Sequence, residues 1–410
     1  MRKFLGWVLV CALSLTMMSY APAGATVASG AEARFATYNA SLNRRFSGEL
    51  ITNLSSPNDP QAAAVAEIIQ RTRPDVVLIN EFDYDPDGTA LRLFQDNYLS
   101  VPHNGADPIA YPYRYAAPSN TGIPSGFDLN NNGSVGGPDD ALGFGFFPGQ
   151  FGMALYSRYP ILEDDIRTFQ GFLWKDMPGA LLPDDASTAA PADWYSAEEL
   201  AVLPLSSKSH WDISIQIGRK VVHVLAAHPT PPVFDGAEDR NGRRNFDEIR
   251  FWADYVTPHA GDYIYDDAGG TGGLEPGSRF VIMGDYNSDP FDGDSIPGAA
   301  QQILELPWVS TKVTPNSLGG PQQAELQGGA NDSHIGDPSF DTADFADSAP
   351  GNLRVDYVLP SRPLKITDAA VFWPLNSDPL FRLVGTFPFP SSDHKLVWVD
   401  VKVPGAGLGR

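Results

Sequence analysis

One stretch, Phe280-Val-Ile-Met-Gly-Asp-Tyr-Asn-Ser288, joins an apolar run to two side chains that carry oxygen ligands. Phe280 to Met283 have the composition of a buried strand, and Gly284 allows the backbone to turn where that strand ends. Asp285 and Asn287, at i and i+2, point to the same side if the chain stays extended. A carboxylate and a carboxamide at the mouth of a sheet could hold a hard metal ion and a phosphate oxygen. An Asp/Asn turn after a strand is the alternative.

Two further polar side chains fall at the ends of predicted strands. Asn39 closes the strand predicted over residues 32–40, and Glu81 closes the strand predicted over 75–81. The spacing of apolar residues between them predicts a helix over 60–72. A strand–helix–strand unit indicates an α/β chain, in which polar groups at strand ends commonly form a site. The alternative for Glu81 is a solvated strand end.

Three later positions add groups that could transfer protons. His228 follows a predicted strand and precedes three prolines that fix a rigid bend, which favours a placed side chain. Asp356 lies inside the apolar strand predicted over 353–359, where an unpaired charge is expensive. Asp393 and His394 open the last predicted strand, and such a pair is typical of a base with its metal or its orienting partner.

An arginine-rich segment precedes a predicted helix. Arg240, Arg243 and Arg244 lie beside its start, where guanidinium groups could bind a phosphate. Several acidic residues surround them in the sequence, so ion pairing within the protein is the alternative.

A loop of the EF-hand type is predicted at residues 128–139, within a loop-rich insertion. Glycine falls at loop position 6 and an apolar residue at position 8, as calcium loops require. We expect this loop to bind Ca²⁺ and to stabilise the insertion, although an Asn/Gly-rich surface turn is the alternative. The expected ligand residues are Asp128, Asn130, Asn132, Ser134 and Asp139, where Asp139 replaces the usual glutamate with a shorter side chain.

The first 25 residues have the pattern of a signal peptide. Arg2 and Lys3 precede an apolar run from Phe4 to Met18, and small residues follow at a cleavage site. The apolar run is short for an uncleaved membrane anchor, which is the alternative. Cys11, the only cysteine, lies inside this segment. We therefore expect an exported protein, secreted or periplasmic, that has no disulfide and no transmembrane anchor after cleavage.

Charge and length limit the remaining possibilities. The formal net charge is −22, and loss of Arg2 and Lys3 makes it two units more negative. This charge argues against nonspecific nucleic-acid binding by a basic surface and suits a chain that collects divalent cations. We expect one domain over residues 26–410, with long insertions at about 85–149, 258–278 and 311–351. The sequence implies no stable protein partner.

Taken together, the motifs occur in an order that resembles the endonuclease/exonuclease/phosphatase family, over about residues 33–403. The family includes deoxyribonuclease I, abasic-site endonucleases, inositol polyphosphate 5-phosphatases and secreted sphingomyelinases. Its usual Gln-Glu and Gly-Asp-Phe-Asn are replaced by Asn80-Glu81 and by a motif with Tyr286, and neither change removes a ligand. The matching segments are Asn39, Asn80-Glu81, Gly152 to Ile161, His228, Gly284 to Asn287, Arg354 to Tyr357 and Ser392 to His394.

The resemblance implies a four-layer α/β sandwich, with two mainly antiparallel sheets packed face to face and helices outside. It also implies metal-dependent hydrolysis of a phosphate ester. By position, Glu81 would hold Mg²⁺ or Mn²⁺ with Asn39 close by, and Asp393 would be a second metal ligand.

The catalytic roles follow from the same resemblance. Asp285 would orient or activate the attacking water, and Asn287 would bind a phosphate oxygen. His394 would form an acid–base or phosphate-stabilising pair with Asp356, and His228 would contact the phosphate. These roles are consistent with the chemistry of charge neutralisation and proton transfer at phosphorus.

The substrate class stays open at this point. A nuclease would want a basic groove, which the net charge does not favour, whereas a small-molecule phosphatase fits the acidic surface. A phospholipase that acts on a lipid head group would want exposed aromatic residues, for which Tyr111 to Tyr115 and Phe144 to Phe147 are candidates. A calcium-stabilised adhesion module that kept the fold and lost catalysis is the alternative outside enzymes.

Overall fold

The computed structural model describes residues 31–407, so the predicted signal peptide and Cys11 lie outside the described residues. The strands are β1 Ala31–Leu42, β2 Val76–Phe82, β3 Tyr113–Tyr115, β4 Met153–Ser157, β5 Arg167–Thr168, β6 His210–Ile217, β7 Lys220–Ala227, β8 Phe280–Asp285, β9 Ala343–Asp344, β10 Asn352–Leu353, β11 Asp356–Pro360, β12 Lys365–Val371 and β13 Val397–Val403. The α-helices are α1 Glu49–Leu54, α2 Pro60–Thr72, α3 Thr89–Phe94, α4 Ala197–Leu200, α5 Arg240–Val256, α6 Gln301–Leu304, α7 Gly319–Gln327 and α8 Phe381–Val384.

The first sheet has the strand order β12-β13-β1-β2-β4-β3. β1 and β2 run parallel and α2 connects them, as the sequence predicts, while the other pairs are antiparallel. α2 begins after Asp59, whose side chain accepts a hydrogen bond from the Ala62 amide, and Pro60 occupies its first turn. It ends at Arg73 in a left-handed conformation before Pro74. The local sequence therefore fixes both ends of this helix.

The second sheet has the order β11-β8-β7-β6-β5. β6 and β7 form the predicted hairpin, with His210 paired to Ala227 at its open end. β7 and β8 run parallel, and β8 pairs antiparallel with β11. Both sheets are mainly antiparallel, as expected.

The two sheets pack face to face over one apolar core. This core contains Phe35 and Val77 from the first sheet together with Ile213 and Met283 from the second. α2 covers the outer face of the first sheet, and α5 packs on the outer face of the second through Ile249 and Trp252 among others. The expected four-layer α/β sandwich is therefore confirmed.

Two predicted strand boundaries are wrong near the polar residues. β8 does not end before Gly284 but continues to Asp285, because a residue without a side chain lets the strand pass close to the carbonyl of Ala227. Asp356 is the first residue of β11 rather than an interior one. The preceding residues Asn352 and Leu353 belong to a separate pair with β9.

The segments predicted as insertions contain little regular structure. Residues 85–149 hold α3 and β3, and residues 311–351 hold α7 and β9. α5 begins at Arg240, earlier than the apolar face that predicts it. Within residues 31–407, no helix combines the length and apolar character needed to cross a membrane.

A group of aspartates forms beside the second sheet. Asp341 is 7% exposed, and the charges of Asp289, Asp292 and Asp337 act on it. Burial, followed by the charges of these neighbours, raises the pKa of Asp341 to about 9. The folded protein therefore holds this carboxyl group protonated at neutral pH.

Replacing Gly284 by alanine is expected to destabilise the protein by about 2–4 kcal/mol, since overpacking and backbone strain both contribute. A Cβ atom at this position would lie 1.9 Å from the Ala227 carbonyl oxygen, which would force β7 and β8 apart. Urea unfolding followed by tryptophan fluorescence measures the loss. Gly137→Ala is the control, because a Cβ atom there meets nothing within 4 Å; equal stability of the two variants would contradict this packing.

Asp341→Asn is expected to stabilise the protein by an amount that grows between about pH 5 and about pH 8. The unfolded chain ionises this carboxyl above its ordinary pKa of about 3.9, whereas the folded protein keeps it protonated up to about 9. Folding therefore takes up a proton, and the stability of the wild-type protein falls as the pH rises through this window. Urea unfolding in EDTA measures the gain, with the exposed Asp294→Asn as control. A gain independent of pH would show that Asp341 does not titrate in this way.

Candidate active site

Asp285 lies at the carboxyl end of β8, where the edges of the two sheets meet. Its Oδ2 accepts a hydrogen bond from Asn39 Nδ2 at 2.9 Å, and its Oδ1 accepts one from the Asn287 amide at 2.9 Å. The side chain is 1% exposed. Burial raises the pKa of Asp285 to about 6; the nearby charge of His394 opposes this shift and that of Asp356 adds to it. Asp285 is therefore ionised at neutral pH and is basic enough to accept a proton.

A carboxylate–imidazole pair joins the two sheets beside Asp285. Asp356, which is paired with Asp285 in the β-ladder, accepts a hydrogen bond at Oδ2 from His394 Nδ1 at 2.8 Å. Burial alone would lower the pKa of His394, but the carboxylates of Asp356 and Asp285 outweigh it and raise the pKa to about 10. His394 is therefore an imidazolium at neutral pH. Its Nε2 lies 3.7 Å from Asp285 Oδ2.

Glu81, Asn39 and Asp393 lie around the same point from the first sheet. Burial, with the neighbouring charge of Asp393, raises the pKa of Glu81 to about 7, while a hydrogen bond from Asn39 lowers it. Glu81 has the left-handed φ of 58°, a conformation that costs free energy and is concentrated at functional sites. Two carboxylates that raise each other's proton affinity, with a carboxamide beside them, form a set of hard oxygen donors that fits Mg²⁺ or Mn²⁺.

A second arrangement of possible metal ligands is more compact. One ligand atom from each of Asp285, Asp356 and His394 lies within 4.8 Å of the others. However, the Nδ1 atom of His394 is used by Asp356 and the pKa of the ring is about 10, so the imidazolium has no lone pair for a metal at neutral pH. The donors around Glu81 are therefore the better match to a divalent cation.

His228 and Asn287 complete the group on the side of the second sheet. His228 Nε2 lies 3.4 Å from Asp285 Oδ2, and its buried Nδ1 has no hydrogen-bond partner within the described residues. Burial, with the charges of Lys208 and His394, lowers the pKa of His228 well below its usual value. Asn287 has a φ of 51°, and its Nδ2 donates to the Pro229 carbonyl at 3.1 Å. His228 is therefore a neutral donor at neutral pH.

The structure gives the three arginines different surroundings. Arg244 is buried, and its guanidinium donates to the carbonyls of Leu142, Pro204 and Leu205, so its expected role in binding phosphate is corrected to a structural one. Arg240 pairs with Glu238, the alternative that the sequence left open. Arg243 is partly exposed, and its contact with phosphate stays a prediction.

The predicted calcium loop is folded by its own side-chain oxygens. Asp128 accepts hydrogen bonds from the amides of Asn132 and Gly133, and Asn132 accepts one from Ser134. Asp139 is exposed, and the carboxylate that reaches back to the loop backbone is that of the next residue, Asp140. Asn130 also accepts a bond from the Asn132 amide. Calcium binding by this loop stays a prediction.

The two aromatic segments differ in exposure. Tyr111 is buried at 1% exposure, whereas Phe144 and Phe146 are 49% and 68% exposed and pack edge to face. The Phe146 amide donates to Gln150 Oε1, and Gln150 Nε2 donates to the Arg44 carbonyl. The phenylalanine pair is therefore the aromatic surface that a lipid could contact.

Sequence patterns missed one residue that supports the site. Thr342 Oγ1 donates to Asp356 Oδ2 at 2.8 Å and accepts hydrogen bonds from the amides of Val355 and Asp356. It lies in the segment 311–351, which has neither a motif nor a strong period. Only the buried environment of Asp356, which demands partners for its charge, could have indicated that such a donor exists.

Comparisons with solved structures found similar folds at low sequence identity. An endonuclease/exonuclease/phosphatase from Beutenbergia cavernae is 18% identical, with a TM-score of 0.48, over 92% of this chain and 72% of that chain. A family protein from Leptotrichia buccalis is 14% identical, with a TM-score of 0.44, over 90% and 99%. Sphingomyelinase C from Streptomyces griseocarneus is 14% identical, with a TM-score of 0.41, over 90% and 99%.

The search of curated proteins found no match to this chain. The model of one family, described as the Endonuclease/Exonuclease/phosphatase family, matches residues 36–394. That range begins just before Asn39 and ends at His394, so it includes every residue of the site described above. This chain belongs to the endonuclease/exonuclease/phosphatase family.

Proposed function

We propose that this protein is an exported, metal-dependent hydrolase of phosphate esters. The observation that carries the proposal is the pairing of a basic carboxylate, Asp285, with an imidazolium, His394, at one buried point of the sandwich. A proton acceptor and a positive charge at one place suit attack by water on an anionic phosphate ester. Membership of the family supports the same reaction class. Export rests on the sequence of residues 1–25 alone.

Glu81, Asn39 and Asp393 would hold the metal ion, because they supply hard oxygen donors and their carboxylates lack a cation of their own. A bound Mg²⁺ or Mn²⁺ would neutralise charge on the phosphoryl oxygens and orient the ester. Ser41 and Ser392 donate to Asp393 Oδ1 at 3.4 and 3.3 Å, which fixes the orientation of that carboxylate.

Asp285 would accept a proton from the attacking water. Asn39 and the Asn287 amide fix its carboxylate through one hydrogen bond to each oxygen. The water oxygen forms a bond to phosphorus, its proton passes to Asp285, and the bond from phosphorus to the ester oxygen breaks. The leaving oxygen then takes a proton from an acid at the site or from solvent.

His394, His228 and Asn287 would stabilise the charge on the phosphate. The Nε2–H group of His394 faces the centre of the site while Asp356 holds its Nδ1, so the ring presents a fixed positive donor. His228 would add a neutral donor, and Asn287 retains one amide hydrogen beyond its bond to Pro229. Arg243 is the remaining arginine of its segment that could contact phosphate.

The substrate can be a small molecule, a nucleic acid or a lipid head group. The net charge of −22 disfavours a strong basic groove for nucleic acid, and the exposed Phe144 and Phe146 are compatible with a lipid. An adhesion module without catalysis is less favoured, since a degenerate member would be expected to lose at least one of the site residues.

His394→Ala is expected to lower kcat/KM by about 100-fold or more, the usual contribution of a positioned acid or charge donor. The assay uses the mature chain with Mg²⁺ or Mn²⁺ and four substrates: plasmid DNA, bis-p-nitrophenyl phosphate, p-nitrophenyl phosphate and sphingomyelin. The preferred substrate distinguishes a diesterase, a monoesterase and a lipid hydrolase.

His259→Ala is the matched control for this assay, because the side chain of His259 is 90% exposed and lies outside the site. The control should retain wild-type rates. A correctly folded wild-type protein that hydrolyses none of the four substrates with either metal would favour the adhesion module, and a His394→Ala protein of full activity would exclude the mechanism.

We also propose that Ca²⁺ binds the loop formed by residues 128–139. The supporting observation is the cluster of side-chain oxygens from Asp128, Asn130 and Asn132, which point toward backbone amides inside one turn. Because the predicted mature chain has no cysteine, an ion that fixes a long insertion would compensate for the absence of disulfides.

Saturating Ca²⁺ is expected to stabilise the wild-type protein by about 2–3 kcal/mol at a concentration near 100 times Kd, through mass action. Thermal unfolding with added Ca²⁺ and with EGTA measures the difference. Asp128→Ala should abolish most of the response, while Asp262→Ala, at an exposed position, should retain it. If Asp128→Ala responds to Ca²⁺ as the wild type does, the ion binds elsewhere.

A further inference from the structure

Lys208 is a buried cation that the mechanism above does not use. It lies two residues before β6 and is 7% exposed. Within residues 31–407, its ammonium group has no acidic partner within 4.0 Å and donates no hydrogen bond. Burying a lysine without a partner is costly, so its presence needs an explanation that the folded chain alone does not supply.

The strand register places Lys208 beside the active site. His210 pairs with Ala227 in the antiparallel ladder, and continuing this register by two residues sets Lys208 opposite Pro229, next to His228. β7 and β8 are parallel with Ala226 paired to Met283, so the same edge continues to Asp285. Lys208 therefore lies on the sheet edge that also carries the catalytic residues proposed above.

Glu248 fixes this segment in position. Its Oε1 accepts hydrogen bonds from the amide and hydroxyl of Ser207 at 2.7 and 3.0 Å, and its Oε2 accepts one from the Thr230 amide at 2.6 Å. The Asn120 amide donates to the Lys208 carbonyl at 2.8 Å. Both oxygens of Glu248 are thus bound to other donors, and the backbone on either side of Lys208 and His228 is cross-linked.

The charges around Lys208 agree with this position. Burial lowers the pKa of Lys208, while the carboxylates of Glu248, Glu81 and Asp285 oppose the shift. The charge of Lys208 in turn helps to keep His228 neutral. The ammonium group is therefore part of the same charge cluster as the site, yet no carboxylate is paired with it.

We propose that Lys208 binds a non-bridging oxygen of the substrate phosphate, as a phosphate-binding residue on the side of the site opposite the first sheet. Lysine binds phosphate as a compact point charge, and an anionic ligand would provide the partner that the protein omits. The assignment rests on the proposed function, because it assumes that a phosphate group occupies this site.

The test measures binding of inorganic phosphate to the Mg²⁺-loaded protein by calorimetry, together with thermal unfolding without phosphate. Lys208→Met should weaken phosphate binding by about 10- to 100-fold, the range for loss of a charged hydrogen bond. The same variant should unfold at a temperature equal to or above that of the wild type, since it removes an unpaired buried charge. Lys208→Arg should retain more of the affinity, because it keeps the charge.

Lys312→Met is the control for a change in net charge, because Lys312 is exposed; its phosphate affinity should not change. Unaltered phosphate binding in Lys208→Met would overturn the assignment. So would a fall in its unfolding temperature that Lys208→Arg restores without any change in phosphate affinity, since that result indicates a structural lysine.

The proposed hydrolysis and the Lys208 assignment can fail separately. A wild-type protein that hydrolyses a phosphate ester but binds phosphate independently of Lys208 would overturn the assignment alone. Phosphate binding that requires Lys208, in a protein that hydrolyses no ester of the panel, would support the phosphate site and remove the support for hydrolysis.

Discussion

The ion pair between Asp356 and His394 is the interaction on which the site depends. Asp356 begins β11 in the second sheet, and His394 precedes β13 in the first, so their 2.8 Å contact joins the two sheets at one edge. Thr342 and the ladder with Asp285 fix the carboxylate. A charged pair in this place sets the orientation of the ring and keeps it protonated. The sandwich therefore supplies rigid supports, and the pair supplies a fixed positive charge.

The surroundings of this pair contain more negative than positive charge. Glu81, Asp285, Asp356 and Asp393 meet at one place, and His394 is the only described cation in direct contact with two of them. The raised proton affinities of Glu81 and Asp285 are the electrostatic cost of this imbalance. A divalent metal would reduce that cost, and Lys208 adds a cation at the opposite side that is free for an anion. The same feature that strains the empty protein thus suits it to bind a metal and a phosphate together.

Local sequence signals were sufficient for the framework of the fold. Asp59, Pro60 and Pro74 determine the ends of α2, and alternation predicted the β6–β7 hairpin because these signals act within a few residues. The boundaries near the site were wrong for a non-local reason. β8 extends through Gly284 because of the Ala227 carbonyl on a neighbouring strand, which the sequence of β8 does not contain.

The side chains of the site were predictable as a set, but their supports were not. Asn39, Glu81, Asp285 and His394 converge because each lies at a strand end, and strand ends of one edge meet in space. Thr342 and Lys208 lie in segments without a pattern, and their relation to the site depends on pairing between distant parts of the chain. Arg244 shows the opposite error, because a cluster of arginines suggested a ligand where buried carbonyl groups needed donors.

The ionisation state of His394 tests most directly whether the site holds an imidazolium. Nitrogen-15 NMR of histidine-labelled, metal-free protein near neutral pH resolves the ring nitrogens, and a His394→Gln sample identifies the signal. Protonation of both ring nitrogens of His394, retained to about pH 9 and lost in Asp356→Asn, is the predicted result. A neutral His394 at pH 7 in the wild-type protein would contradict the proposed charge distribution and the mechanism that depends on it.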